Sequence, residues 1–189
     1  MRLFAPLLAA ALAGCSSAPA IPDWKLNSSQ ALEAFQRGYL TGGARGAEAD
    51  FARARAELAS TGREDLVARA ELVRCAVRAA SLEFDNCPAF EALRGGAGAE
   101  ELSYADYLAG RAVQSPGEEP LSRLVAAGVK FRTGGIDPAG INAAIEIASA
   151  QGWRRPLLAW LGVQAKRAED AGDSETAARV RRRMALISG

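Results

Sequence analysis

The side chains best able to do chemistry in this chain are three cysteines, Cys15, Cys75 and Cys87, and two adjacent glutamate pairs, Glu100-Glu101 and Glu118-Glu119. Arginines cluster at Arg154-Arg155 and at Arg179 with Arg181, Arg182 and Arg183. No histidine occurs, which excludes every triad, general base or zinc site built on imidazole. A serine-lysine nucleophile needs a serine three residues ahead of its lysine, and Lys25, Lys130 and Lys166 have none there. The glycine-lysine-serine/threonine string of a phosphate loop, the Gly-x-Ser-x-Gly elbow and the Asp-x-Asp-x-Asp-Gly calcium loop are also missing. These exclusions lead to the expectation of a protein that is not an enzyme and has no catalytic residue, cofactor or metal.

Carboxylates are the remaining route to catalysis. A glutamate with a raised pKa can protonate the leaving oxygen of a glycosidic bond, and lytic transglycosylases carry a Glu-Ser pair for that step. The chain contains no Glu-Ser dipeptide. Its glutamate pairs are expected in first helical turns, where the macrodipole favours negative charge without any catalytic role. The arginines invite a different reading. Trp153, Arg154, Arg155, Arg181, Arg182 and Arg183 are candidate partner-binding residues, with guanidiniums able to hold phosphates or an acidic protein and the indole as anchor. The plainer alternative puts Arg154-Arg155 in a turn and the final run near a helix C-terminus. Tyr104 and Tyr107 are expected to pack between helices.

Residues 1–14 have the layout of an export signal: Arg2, an apolar stretch from Leu3 to Leu12, then Ala13 and Gly14. The stretch is too short to span a bilayer, and no later run approaches 20 apolar residues. Leu12-Ala13-Gly14-Cys15 resembles the lipobox of bacterial lipoproteins. That resemblance implies cleavage before Cys15, lipid on its sulfur and amino group, and, with Ser16 next, an outer-membrane location facing the periplasm. Several acyl chains on one residue suffice for stable anchoring. Residues 15–22 then form a lipidated cysteine and flexible tether, and residues 23–189 a helical domain. Loss of Arg2 leaves 22 basic and 22 acidic side chains in residues 15–189, a balance that argues against nucleic acid as a partner.

In an oxidising compartment, Cys75 and Cys87 remain as an even pair. They are expected to bond to each other as a structural disulfide, with two buried thiols or a redox-active pair as the alternatives. Eleven intervening residues differ from the C-x-x-C spacing of thiol oxidoreductases.

The elements that must position these residues are helices. Alanine accounts for 42 residues, against 18 for valine, isoleucine and threonine together, a ratio that favours helix over sheet. Capping-box spacings at Asn27/Gln30 and Thr61/Glu64 mark helix starts. Pro88, Ser115-Pro116, Asp137-Pro138, Pro156 and Asp173-Ser174 mark others. Glycines near residues 42, 95, 152 and 172 mark ends. The expected fold is all-α: paired antiparallel helices in one domain, as a TPR-like or irregular α-solenoid, with a compact bundle as the alternative. Ala47, Phe51 and Ala54 resemble the second-helix alanine, aromatic and alanine of the tetratricopeptide repeat, although Phe35 replaces that family's glycine and Ala59 its closing proline. A lipid anchor, paired helices and missing catalytic residues together lead to the expectation of a non-catalytic scaffold that docks a protein partner at the outer membrane. A carboxylate-based peptidoglycan hydrolase and an inhibitor or immunity lipoprotein are the alternatives.

Overall fold

The structure, a computed structural model, describes residues 21–114 and 117–189. The signal sequence, Cys15 and the helix start at Ser115-Pro116 lie outside the described residues. Among those described there are nine α-helices and no strand: α1 (Asp23–Thr41), α2 (Ala44–Ala59), α3 (Glu64–Ala80), α4 (Pro88–Glu91), α5 (Ala99–Leu108), α6 (Pro120–Arg132), α7 (Pro138–Ala150), α8 (Arg154–Asp170) and α9 (Ser174–Ser188). A single 3-10 turn, Arg94–Gly96, follows α4. No described helix is long and apolar enough to cross a membrane.

Short turns make α1/α2, α7/α8 and α8/α9 antiparallel neighbours. In an open solenoid each unit touches only the next. Here α1 also reaches α8, and α3 packs on α1, α2, α5 and α6, so the chain closes into one compact domain. The organising element is α3. Ala68, Leu72, Cys75, Ala76, Ala79 and Ala80 join the core shared with α5–α9, while Val67, Ala70 and Val77 join the α1/α2 core. A helix apolar on both sides is buried on both sides.

Small residues set the helix spacings. A Cβ on Gly128 of α6 would lie 2.2 Å from the Ala79 carbonyl oxygen of α3, so these helices meet backbone to backbone. In the α1/α2 pair, Ala47, Phe51 and Ala54 are buried as expected, with the Phe51 and Phe35 ring centroids 5.0 Å apart.

Local capping departs from the sequence expectation at several starts. Asn27 lies inside α1, which begins at Asp23 because the chain is already helical there; Asn27 Nδ2 donates to Glu57 on α2 instead. Thr61 Oγ1 accepts from the Arg63 N–H, one residue before the expected partner, so no capping box forms at α3. The start marked at Pro156 falls two residues earlier, at Arg154. Asp137 and Asp173 do cap, accepting from the N–H groups of Gly140 (2.7 Å) and Thr176 (2.9 Å).

Candidate functional site

A continuous groove runs across the domain between α1, α3, α5 and the start of α6. It joins three hollows of about 360, 420 and 200 Å³, the first two sharing Gln36, Glu119 and Leu121, the last two sharing Val73 and Tyr104. Helical periodicity explains the lining. Glu33, Gln36, Arg37 and Leu40 form one face of α1, and Arg69, Leu72, Val73 and Ala76 one face of α3, each at i, i+3, i+4, i+7 spacing. Leu121 and Val125 of α6 and Tyr104 of α5 complete the apolar floor. Glu33, Arg37 and Glu119 are exposed around one end.

Trp153 closes that end. It is half-buried just before α8, and Trp153 and Leu121 both pack against the two cores. An aromatic ring fixed from behind and facing a concavity is the arrangement that makes an interface anchor. Tyr104 is half-buried in the groove, and burial, with the neighbouring Tyr107 second, pushes its hydroxyl pKa up to about 12. Tyr107 is buried, its ring centroid 5.8 Å from that of Tyr104. The packing role expected for both tyrosines therefore holds for Tyr107, while Tyr104 also faces the groove.

Of the six candidate partner-binding residues, the groove takes only Trp153. Arg155 is not in a turn but in the first turn of α8, where it clamps α8 to α1. Its Nε donates to the Tyr39 carbonyl oxygen (3.0 Å), its Nη1 to Glu83 Oε1 (3.0 Å), and its guanidinium lies 4.3 Å from the Tyr39 ring centre. The Tyr39 hydroxyl donates to Glu83 Oε2 at 2.8 Å. Burial foremost, then that hydrogen bond and the glutamate's charge, hold the Tyr39 phenol far above its ordinary pKa. Arg154 lies over the α1/α2 turn, where a Cβ on Gly42 would come 3.1 Å from its Nη2.

Arg181, Arg182 and Arg183 sit in the middle of α9, because the helix continues to Ser188; the dipole at its C-terminus does not account for them. Arg181 pairs with Glu169 of α8 at 2.5 Å, and Arg183 donates to Ser149 of α7 at 3.2 Å, so both fasten α9 to its neighbours. Arg182 is exposed.

The glutamate pairs have separate environments. Glu101 is buried in the first turn of α5, and Arg69 Nε donates to its Oε1 at 2.7 Å. That hydrogen bond, with backbone N–H groups at the helix start, holds its carboxyl below the usual range despite burial. A glycosidic general acid requires the opposite shift. The Glu100 side chain is exposed. Glu118 and Glu119 lie ahead of α6, not in its first turn, because α6 begins at Pro120; Glu119 is on the groove rim.

Cys75 of α3 and Cys87, just ahead of α4, have their sulfurs at disulfide distance and their Cα atoms 5.8 Å apart. Asp85 approaches both. Its Oδ1 accepts from the Cys87 N–H (3.1 Å) and its Oδ2 pairs with Arg78 (2.7 Å), so the cluster is explained without an ion. The loop from 81 to 87 thus carries both a cysteine and Glu83, the residue that joins Tyr39 to Arg155. Sequence reasoning missed Glu83, since no periodicity extends through this loop. The available signal was the end of α3 at Ser81-Leu82, where most of the other turns have glycine.

No known protein family, curated protein or solved structure matches the chain. Its function therefore has to be argued from the groove and the chemistry around it.

Proposed function

We propose that the protein is a lipid-anchored envelope scaffold whose groove docks a segment of a protein partner. The observation that carries the reading is the groove itself: a fixed apolar floor of Val73, Tyr104, Leu121 and Trp153, bordered by Glu33, Arg37 and Glu119. Apolar floor and charged rim form the anatomy of a protein interface. The depressed carboxyl of Glu101 weighs against glycan cleavage at that residue. The Leu12-Ala13-Gly14-Cys15 string supports the anchor.

In this reading Cys15 carries the lipid and holds the domain at the outer membrane, facing the periplasm, through a tether of residues 15–22. Seven residues from Ser16 to Pro22 reach about 25 Å at full extension, which keeps the groove close to the bilayer. Cys75 and Cys87 form a disulfide in that compartment. The scaffold needs no metal or cofactor.

The test has two parts. Cys15→Ser should move the protein from the membrane to the soluble envelope fraction, and the mature wild-type chain should begin at an acylated Cys15. Leu121→Glu should abolish co-purification of the partner while the protein remains membrane-bound and folded. Retention of every partner by Leu121→Glu contradicts the docking assignment, and a chain beginning at Met1 contradicts the anchor.

A further inference from the structure

We propose that the bond between Cys75 and Cys87 is a modification site, addressed through a pocket that receives a small, carboxylate-bearing thiol at Cys87. The inference rests on the disulfide reading above.

A separate hollow of about 230 Å³ opens on Cys87 but not on Cys75. Cys75 is 8% exposed and packed in the core of α3, whereas Cys87 is half-buried on the loop. Attack is therefore directed to one sulfur. Arg111 and Arg132 stand at the pocket wall, with Glu91 the one carboxylate among its described lining residues, and Asp85, beside the sulfurs, is paired with Arg78 (2.7 Å). Arg111 is held by Asp106 (2.7 Å), Arg132 by the side-chain Oδ1 of Asn86 (2.5 Å), and Glu91 is paired with Arg94 (2.8 Å). Two positioned guanidiniums lining a pocket that opens on half-buried Cys87 attract a thiolate that carries carboxylates of its own.

The exchange balances with two thiols. The first thiolate attacks Cys87 Sγ, the Cys75–Cys87 bond breaks, and its electron pair leaves on Cys75, which takes a proton from water. A second thiolate attacks the outer sulfur of the mixed disulfide, releasing Cys87 as a thiolate and a two-electron-oxidised disulfide of the small thiol.

The consequence reaches beyond the pocket. Leu82, Asn86 and Cys87 have left-handed backbones, with φ of 60°, 59° and 51°. Side-chain-bearing residues resist that conformation and hold it only where surrounding structure enforces it. Opening the bond removes one restraint on the loop that carries Glu83, and so loosens the Glu83 bridge that supplements the direct contact between Tyr39 of α1 and Arg155 of α8.

Incubating the full chain with reduced glutathione, then alkylating and mapping by mass spectrometry, tests this. The expected result is glutathione on Cys87, the alkyl label on Cys75, and faster amide exchange in residues 81–87 and 35–41. At equal thiolate concentration, glutathione should react on the order of tenfold faster than cysteamine at low salt, an advantage lost at high salt and in Arg111→Gln/Arg132→Gln. Glutathione on Cys75, or equal rates for the two thiols, overturns the assignment while leaving the disulfide reading standing. Two free thiols in protein isolated from the envelope overturn both.

Discussion

The turns after α2 and α3 do the same geometric job with different residues. After α2, Gly62 takes φ of 68° with open space around it, and the chain enters α3 two residues later. After α3, Leu82 takes φ of 60°, and seven residues pass before α4 starts. Glycine adopts that conformation at no steric cost, whereas a leucine there costs about 1 to 2 kcal/mol. The second turn is retained because its side chains work elsewhere: Leu82 and Phe84 pack on the core, Glu83 bonds Tyr39 and Arg155, and Cys87 meets Cys75. Departure from the cheap solution marks the loop that holds α1, α3 and α8 together.

The sharpest way to break this comparison is to remove the bridge. Cys75→Ser/Cys87→Ser should lower unfolding stability in urea by about 3 kcal/mol, from the lost restraint on a loop of this size. A loss near zero would mean that the loop is held by its side chains alone. Next in size, Glu83→Ala leaves Tyr39 and Arg155 without their shared acceptor and should cost about 1 to 2 kcal/mol, discounted because the carboxylate is partly exposed.

Gly62→Ala should cost about 1 kcal/mol through its left-handed backbone. Leu82→Gly should stay within about 1 kcal/mol of wild type, since relief of backbone strain offsets lost packing. A large destabilisation by Leu82→Gly would show that packing dominates there, and equal effects at both turns would erase the distinction between them.

The smallest effect concerns acid. The folded pKa of Glu101 is depressed, chiefly by Arg69. Its contribution to stability is complete above the ordinary carboxylate range and is lost as pH falls through the depressed folded value. Arg69→Gln should flatten this part of the pH-stability profile. The profile would remain unchanged if the pair had no energetic role.

The helices were legible because alanine-rich, 3.6-residue periodicity depends on local sequence: Ala47, Phe51 and Ala54 reveal the inward side of α2. Helix starts were less legible. Asp137 and Asp173 cap as their residue types suggest, but Asn27 and Thr61 have the same chemistry and are used otherwise: Glu57 of α2 takes the Asn27 amide, and Thr61 bonds locally to the Leu58 carbonyl oxygen and the Arg63 N–H. For the site, Trp153 could be singled out as an aromatic beside charge. The groove could not, since it needs α1, α3, α5 and α6 brought together across some 90 residues of sequence. Arg155 was visible as a charge but not as a clamp, because Glu83 and Tyr39 reach it only in the fold.

Photo-crosslinking in intact cells tests the docking account most directly. A photoreactive residue at Gln36 or Ser122, on the groove, should trap one discrete protein partner, whereas the same group at exposed Lys166 of α8 should not. Trapping from Lys166 but from neither groove position would contradict it.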